Sequence, residues 1–397
     1  MAASRSGKNS SLAPRTFFIV TVGLAAVIFA PMYYRLLPSS DYYIHAMLAA
    51  RMAESASILT PHFLYQLILI PLATLLAGNF AIAGLFATTL FTMTTAGILW
   101  NFLHKLTTAS AATFLTIALL LVGPVLLIAP LDGHYYSGYI GINVFHNPTM
   151  LLLKPLAVVS FYYAAIYSRG EQSTPKHIAL SGLITILAAL AKPNFTICII
   201  PALLVMTALL LKRGNKPDWR MLIGGFLLPA AGVLLVQYLL AYSTAQIDVV
   251  NEGKSSIILA PFAVMKGFSS YFILKFFCSF LFPLGVALNF PSLVKRDAGL
   301  LLAWFSFLFG AAYTYLLAES GSRMTHGNFV WSGQITLFIL FIMSTLFLLR
   351  QAASAGGWVD SLRHDRKFLV SSILFSMHLA SGLVFYALEY LQPFDCW

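Results

Sequence analysis

Charge is scarce in this chain: only 9% of its residues are Asp, Glu, Lys or Arg. With 59% hydrophobic residues and a mean hydropathy of +0.83, that scarcity excludes a water-soluble globule. It leaves an all-α polytopic membrane protein. Acidic residues are the rarer sign, 13 against 24 basic ones, for a formal net charge of +11. The basic residues are scattered through short loops between apolar runs, where they set membrane orientation, which argues against nucleic acid as a partner. Only three cysteines occur: Cys198 and Cys278 lie inside apolar runs and Cys396 is next to last, so no disulfide framework is expected. His-x-x-x-His and Cys-x-x-Cys spacings are missing, which argues against a dedicated zinc site.

What the chain has is apolar length. Runs of spanning length fall at 16–34, 80–103, 109–129, 149–167, 195–211, 221–242, 270–290, 299–317, 332–349 and 368–390, with a shorter one at 178–191. The first follows Arg5, Lys8 and Arg15 and lacks a small-x-small cleavage site, so it reads as an uncleaved signal anchor behind a cytoplasmic tail of residues 1–15. Residues 16–397 then form a single transmembrane domain with no large soluble part.

A further candidate, Phe63 to Ala77, is short and interrupted by Pro71. Charge decides its placement. If it stays on the outer side, most of the 24 basic residues face the cytoplasm, among them Lys105, Arg169, Lys176, Lys212, Arg213, Lys295, Arg296, Arg350, Arg363, Arg366 and Lys367. If it spans, every later loop flips and the positive-inside bias reverses. The sequence therefore predicts eleven transmembrane helices plus a re-entrant or surface helix near 61–78. Its loops 35–62, 130–148, 243–269 and 318–331 then share the outer face. These loops hold Asp41, His45, Glu54, His62, Asp132, His134, His146, Asp248, Glu252, Glu319, Arg323 and His326.

Asp41 is the leading candidate. It sits just outside the first span in Ser39-Ser40-Asp41-Tyr42-Tyr43-Ile44-His45. Ser40 is suited to cap a helix from Asp41 to about Glu54, with Ile44, Met47, Leu48 and Met52 along one side against the membrane surface. His45 is four residues on and faces the same spot. A carboxylate at a helix N-terminus stays ionised at neutral pH, as a base must, although it also favours its own helix start. Asp132, in Pro130-Leu131-Asp132-Gly133-His134, is a second acid or an ordinary Asp-Gly turn. His146-Asn147-Pro148-Thr149 reads as a helix start. Lys192, at Ala191-Lys192-Pro193-Asn194, either snorkels or holds a phosphate at the membrane surface. Arg323, in Glu319-Ser320-Gly321-Ser322-Arg323-Met324-Thr325-His326-Gly327-Asn328, presents a planar fork suited to phosphate oxygens or pairs with Glu319.

The order of these elements resembles the GT-C superfamily of membrane glycosyltransferases, which use polyprenyl-phosphate sugars. Ser40-Asp41-Tyr42-Tyr43 is similar to that family's acid motif. Thr60-Pro61-His62-Phe63-Leu64-Tyr65 is similar to its His-Pro-Pro-Leu-Tyr-Tyr type segment, and Asp132 falls where many members place a second acid. The likeness covers roughly residues 16–170 in element order. The chain departs from the pattern in having one acid where many members have adjacent acids, in placing His62 after its proline, and in lacking a large C-terminal soluble domain.

The resemblance implies a polyprenyl-phosphate-linked sugar donor, a glycan or lipid acceptor, and membrane lipids around the helices. Asp41 would be the base of an inverting transfer. Lys192, Arg323 and His326 would meet the leaving lipid phosphate, with His62 near them and Asp132 and His45 beside the base. Such chemistry requires no metal, and a divalent cation is the one cofactor left open. The expected location is a bacterial inner membrane, with the N-terminus cytoplasmic and the active face periplasmic. Two other classes compete: a transporter or flippase of lipid-linked or small polar substrates, and an O-antigen-type polymerase or ligase. The first would place ionisable residues at mid-span, the second several arginines in large outer loops.

Overall fold

A computed structural model describes residues 12–38, 40–242 and 256–393. Asp248, Glu252 and Lys254, together with Arg5, Lys8, Ser39 and Cys396, lie outside these described residues. Five helices open the chain: α1 (Leu12–Leu36), α2 (Asp41–Ser55), α3 (Leu64–Leu75), α4 (Phe80–His104) and α5 (Ala109–Leu121). Then come α6 (Pro148–Ser168), α7 (Pro175–Ala191), α8 (Asn194–Lys212) and α9, a π-helical stretch over Met221–Leu227 continuing as α-helix over Leu228–Tyr242. Beyond them come α10 (Phe272–Ser279), α11 (Leu281–Asn289), α12 (Ala298–Leu316), α13 (Val330–Ser354), α14 (Trp358–His364) and α15 (Arg366–Leu391), with short helical turns at Ala129–Asp132, Ala263–Phe268, Pro291–Val294 and Gly321–His326. Two three-residue strands, β1 (Ile257–Leu259) and β2 (Leu317–Glu319), pair antiparallel with Ile257 opposite Glu319.

Eight helices among the described residues are long and apolar enough to cross a membrane, and nine if α10 and α11 count as one broken span. The chain is therefore a multi-pass membrane protein of helical architecture, with no large soluble domain among the described residues. Length alone does not reach the eleven spans expected from the sequence, because α5, with 13 residues, and α7, with 17, are short. α13 is buried along almost its whole length and forms the axis of the bundle.

Two expected spans are broken. The run 109–129 is helical only to Leu121, where Gly123-Pro124 ends it. Backbone groups freed inside a bilayer must find partners within the protein. Asn143 Nδ2 donates to the carbonyls of Leu119 and Val122, at 2.9 and 2.8 Å. His378 of α15 is 2.6 Å from the Gly123 carbonyl through Nδ1, and its Nε2 accepts the amide of Phe282 at 3.3 Å. Phe282 lies just past the second break, where α10 and α11 bend by 62°. One buried imidazole thus braces both breaks. Gly382 makes the crossing of α15 and α5 possible, since a Cβ there would fall 1.9 Å from the Leu121 carbonyl oxygen.

α1 and α4 run antiparallel. Phe18 meets Trp100 edge-on at 5.5 Å, and further along α1 the Tyr33 hydroxyl bonds Thr92 Oγ1 at 2.6 Å. Residues 37–79 therefore leave the bundle and rejoin it at one end. α3 packs there, with the Tyr65 ring 5.7 Å from His45 and 6.3 Å from Phe91.

Candidate functional site

The polar chemistry gathers at that end of the bundle. Ser40 Oγ donates to the Leu36 carbonyl at 2.7 Å and accepts the Tyr42 amide at 3.3 Å, which fixes Asp41 at the first position of α2. The Tyr42 hydroxyl reaches the Phe145 carbonyl at 3.1 Å and ties α2 to the loop before α6. The buried face of α2 is Tyr42, His45, Leu48, Ala49 and Met52, while Ile44 is exposed. Leu48 and Met52 of the expected stripe lie on this buried face and Ile44 does not, while Gln66 Nε2 of α3 meets His45 Nδ1 at 2.7 Å and holds the imidazole inward.

Asn147 caps α6. Its Oδ1 accepts from the Met150 amide at 3.0 Å and the Thr149 hydroxyl at 2.7 Å. With the oxygen engaged there, the amide nitrogen points away and donates to Asp41 Oδ2 at 2.5 Å. Lys192 Nζ lies 3.3 Å from the same Asn147 Oδ1, 3.2 Å from Thr149 Oγ1 and 4.4 Å above the Trp331 ring. Carboxylate, amide and ammonium therefore form one continuous chain from α2 to the end of α7.

Lys192 is also a wall of a cavity of about 290 Å³, together with His62, Asn194, Glu319 and Arg323. Arg323 Nη2 pairs with Glu319 Oε1 at 3.3 Å, and the two side chains keep only 13% and 5% of their exposure. Asn328 bonds the other Glu319 oxygen, and Asn194 Nδ2 donates to the Asn328 carbonyl and to Ser332 Oγ, both at 2.9 Å. Ile197 of α8 and Leu234 and Ala241 of α9 give the cavity an apolar side, with Gln237 and Tyr238 of α9 beside them. Neighbouring α9 side chains, Leu235 and Val236, are 60% and 50% exposed, so that wall faces the lipid.

The electrostatics follow from burial. Desolvation raises the Asp41 carboxyl above its ordinary value, and the Lys192 charge, the Asn147 hydrogen bond and the His326 charge only partly offset it. The outcome is a carboxylate more basic than a free one. Burial drives His62 down to about 3, with the Lys192 and Arg323 charges adding to it, so the His62 ring is neutral at neutral pH in the unliganded site. His45 and His146 are also lowered by burial, His45 further by His62 and Lys192, and His146 further by Lys192.

Asp41, His45, His62, Lys192, Arg323 and His326 are thus brought together. Asp132 has other partners. Its carboxylate pairs with Lys275 of α10 at 2.7 Å and accepts from Ser269 Oγ at 2.5 Å and the His134 amide at 3.2 Å. Lys275 is fully buried and also donates to the carbonyls of His134 and Ser137 at 2.9 and 3.0 Å. Burial pushes the Asp132 carboxyl up, but its hydrogen bonds to Lys275, Ser269 and the His134 amide and the Lys275 charge bring it below its ordinary value. The arrangement staples the 130–148 loop to α10. Among the described residues, no group of three or more His, Cys, Asp or Glu side chains is placed to hold a metal ion.

Sequence reasoning read Asn147 only as a helix start and passed over Trp331 and Glu389. Glu389, almost fully buried in the last turn of α15, acts electrostatically on Tyr136. Burial raises that phenol, the 2.6 Å hydrogen bond from Gln334 works against the rise, and the charges of Glu389 and Asp41 add to it. An acid near the end of an apolar run is the signal that marks Glu389 in the sequence. Compared with known proteins, the chain matches no family model and no curated protein.

Proposed function

We propose that this protein is a membrane glycosyltransferase of the GT-C type, moving a monosaccharide from a polyprenyl phosphate to an acceptor hydroxyl with inversion. One observation carries the reading. A buried carboxylate made more basic by its surroundings is linked through Asn147 to Lys192, in a cavity that also holds Arg323 paired with Glu319 and whose α8 and α9 side is largely apolar and open toward lipid. A lipid-linked phosphate has that combination of anionic head and greasy tail.

Asp41 takes the proton of the acceptor hydroxyl as its oxygen attacks the anomeric carbon. The bond from that carbon to the phosphate oxygen breaks with its electron pair leaving on the phosphate. Lys192 and Arg323 meet the charge that develops there, with His326 near them, while His62 offers a ring N–H. α5, α7 and the α10–α11 pair are passes in this reading, giving eleven, with α3 re-entrant and the Asp41 end periplasmic in a bacterial inner membrane. Every polar loop of the site then faces one compartment.

A transporter is the second reading, and Lys154 and Lys275, both buried in helices, favour it. Lys275 is engaged by Asp132, and Lys154 donates at 2.7 Å to Asn143, whose amide holds the end of α5. Both therefore serve the frame. The test is a panel of polyprenyl-phosphate sugars added to purified protein. Expected is thermal stabilisation by at least one donor that disappears in Lys192→Met and Arg323→Met. Equal response of the variants and the wild type would remove the phosphate assignment.

A further inference from the structure

Two cavities larger than that of the candidate site lie at the other end of the bundle, where the α4–α5 turn, α14 and the start of α15 meet. One, of about 590 Å³, is walled mostly by apolar side chains of α5, α11, α13, α14 and α15, among them Leu348, Leu362 and Ile373, with Ser376 of α15 also on its wall. The other, of about 740 Å³, is bounded by Lys105 and the α4–α5 turn on one side and by Gly357 on the other. They share Phe114, Leu115 and Trp358, and so form one cleft with an apolar arm and a polar mouth. Phe114 is 61% and Ile373 51% exposed, which opens the arm sideways to the bilayer.

We propose that this cleft binds an anionic phospholipid, its acyl chain in the arm and its phosphate at the mouth beside Lys105. Charge selects the lipid. Lys105, Arg363, Arg366 and Lys367 stand on the elements around the mouth, against Asp360 and Asp365. Asp365 is already engaged in capping α15 through the amides of Lys367 and Phe368. Trp358 sits where the arm meets the mouth, packed edge-on against Phe368 at 4.8 Å, the position an indole takes at the headgroup level of a membrane. Clustered basic residues beside an apolar slot attract anionic headgroups over zwitterionic ones.

The test uses the purified full-length chain in detergent, titrated with phosphatidylglycerol or with phosphatidylcholine of the same acyl chains. Melting temperature and bound lipid, the latter by native mass spectrometry, are the readouts. Phosphatidylglycerol is expected to raise the melting temperature saturably, at roughly tenfold lower concentration than phosphatidylcholine. Lys105→Ala with Arg363→Ala is expected to weaken phosphatidylglycerol about tenfold and leave phosphatidylcholine unchanged. Ser376→Trp, which fills the arm, is expected to lower retention of both. Equal response to the two lipids, or wild-type phosphatidylglycerol binding by the Lys105 and Arg363 double variant, overturns the proposal.

Discussion

Asn147 holds Asp41: the amide nitrogen that caps nothing in α6 donates to the carboxylate of α2 at 2.5 Å, while its oxygen is fixed by the Met150 amide and Thr149. A helix cap thereby aims a hydrogen bond across more than a hundred residues of sequence. Asn147→Ala is expected to cost about 0.5–2 kcal/mol of stability through the lost cap. It should slow transfer roughly 10- to 100-fold through a misplaced base. Asn147→Ser restores the cap but is too short to reach Asp41, so melting temperature should recover while transfer stays low. Thermal melts and single-turnover transfer separate the two effects.

The acid limb of kcat/KM reports the ionisation of the base in the free enzyme. Burial raises Asp41 and Lys192 pulls it part of the way back. Activity should therefore fall on acidification at a pH above the ordinary carboxylate value of 3.8. Lys192→Met, which removes the restraining charge, should move that limb higher still. A limb that stays in place in Lys192→Met would separate the two residues.

Asp132 and Asp41 should differ sharply in what they stabilise. Asp132→Asn leaves the buried Lys275 ammonium without its counter-charge, and the expected loss is roughly 2–3 kcal/mol. That is less than for a fully enclosed pair, because Asp132 keeps 13% of its exposure. Asp41→Asn should melt close to the wild type. Chemical denaturation of the two variants side by side is the check.

His62, His45 and His146 are held neutral by burial, with His62 pushed down to about 3. Their folded values lie below the unfolded value of about 6.5, so the unfolded chain binds protons that the folded chain refuses. Stability is then full above pH 6.5 and declines as pH falls toward 3. Melting temperature should drop between pH 7 and pH 5, and His62→Gln should flatten that slope.

Much of this end of the molecule is legible in the sequence. Ser40 before Asp41 marks the start of α2, and Asn147-Pro148 the start of α6, because caps act through neighbours in the chain. The Gly123-Pro124 break is also legible, although apolar length masks it. Pro283, whose ring would clash with the Ser279 carbonyl in a continuous helix, marks the 62° bend between α10 and α11. What is hidden is tertiary. Nothing local to His45 says that Gln66 will hold it inward, or that Lys275 will claim Asp132. Asp248 and Glu252, in the loop 243–269 expected on the outer face, lie outside the described residues.

The most direct measurement is transfer by Asp41→Asn. The variant and the wild type are reconstituted with a polyprenyl-phosphate sugar that stabilises both, and product is followed with acceptor present. The expected result is donor binding unchanged and transfer reduced at least about a thousandfold, the scale of removing an essential base together with its orientation of the acceptor. Transfer within a few fold of the wild type would contradict the assignment of Asp41.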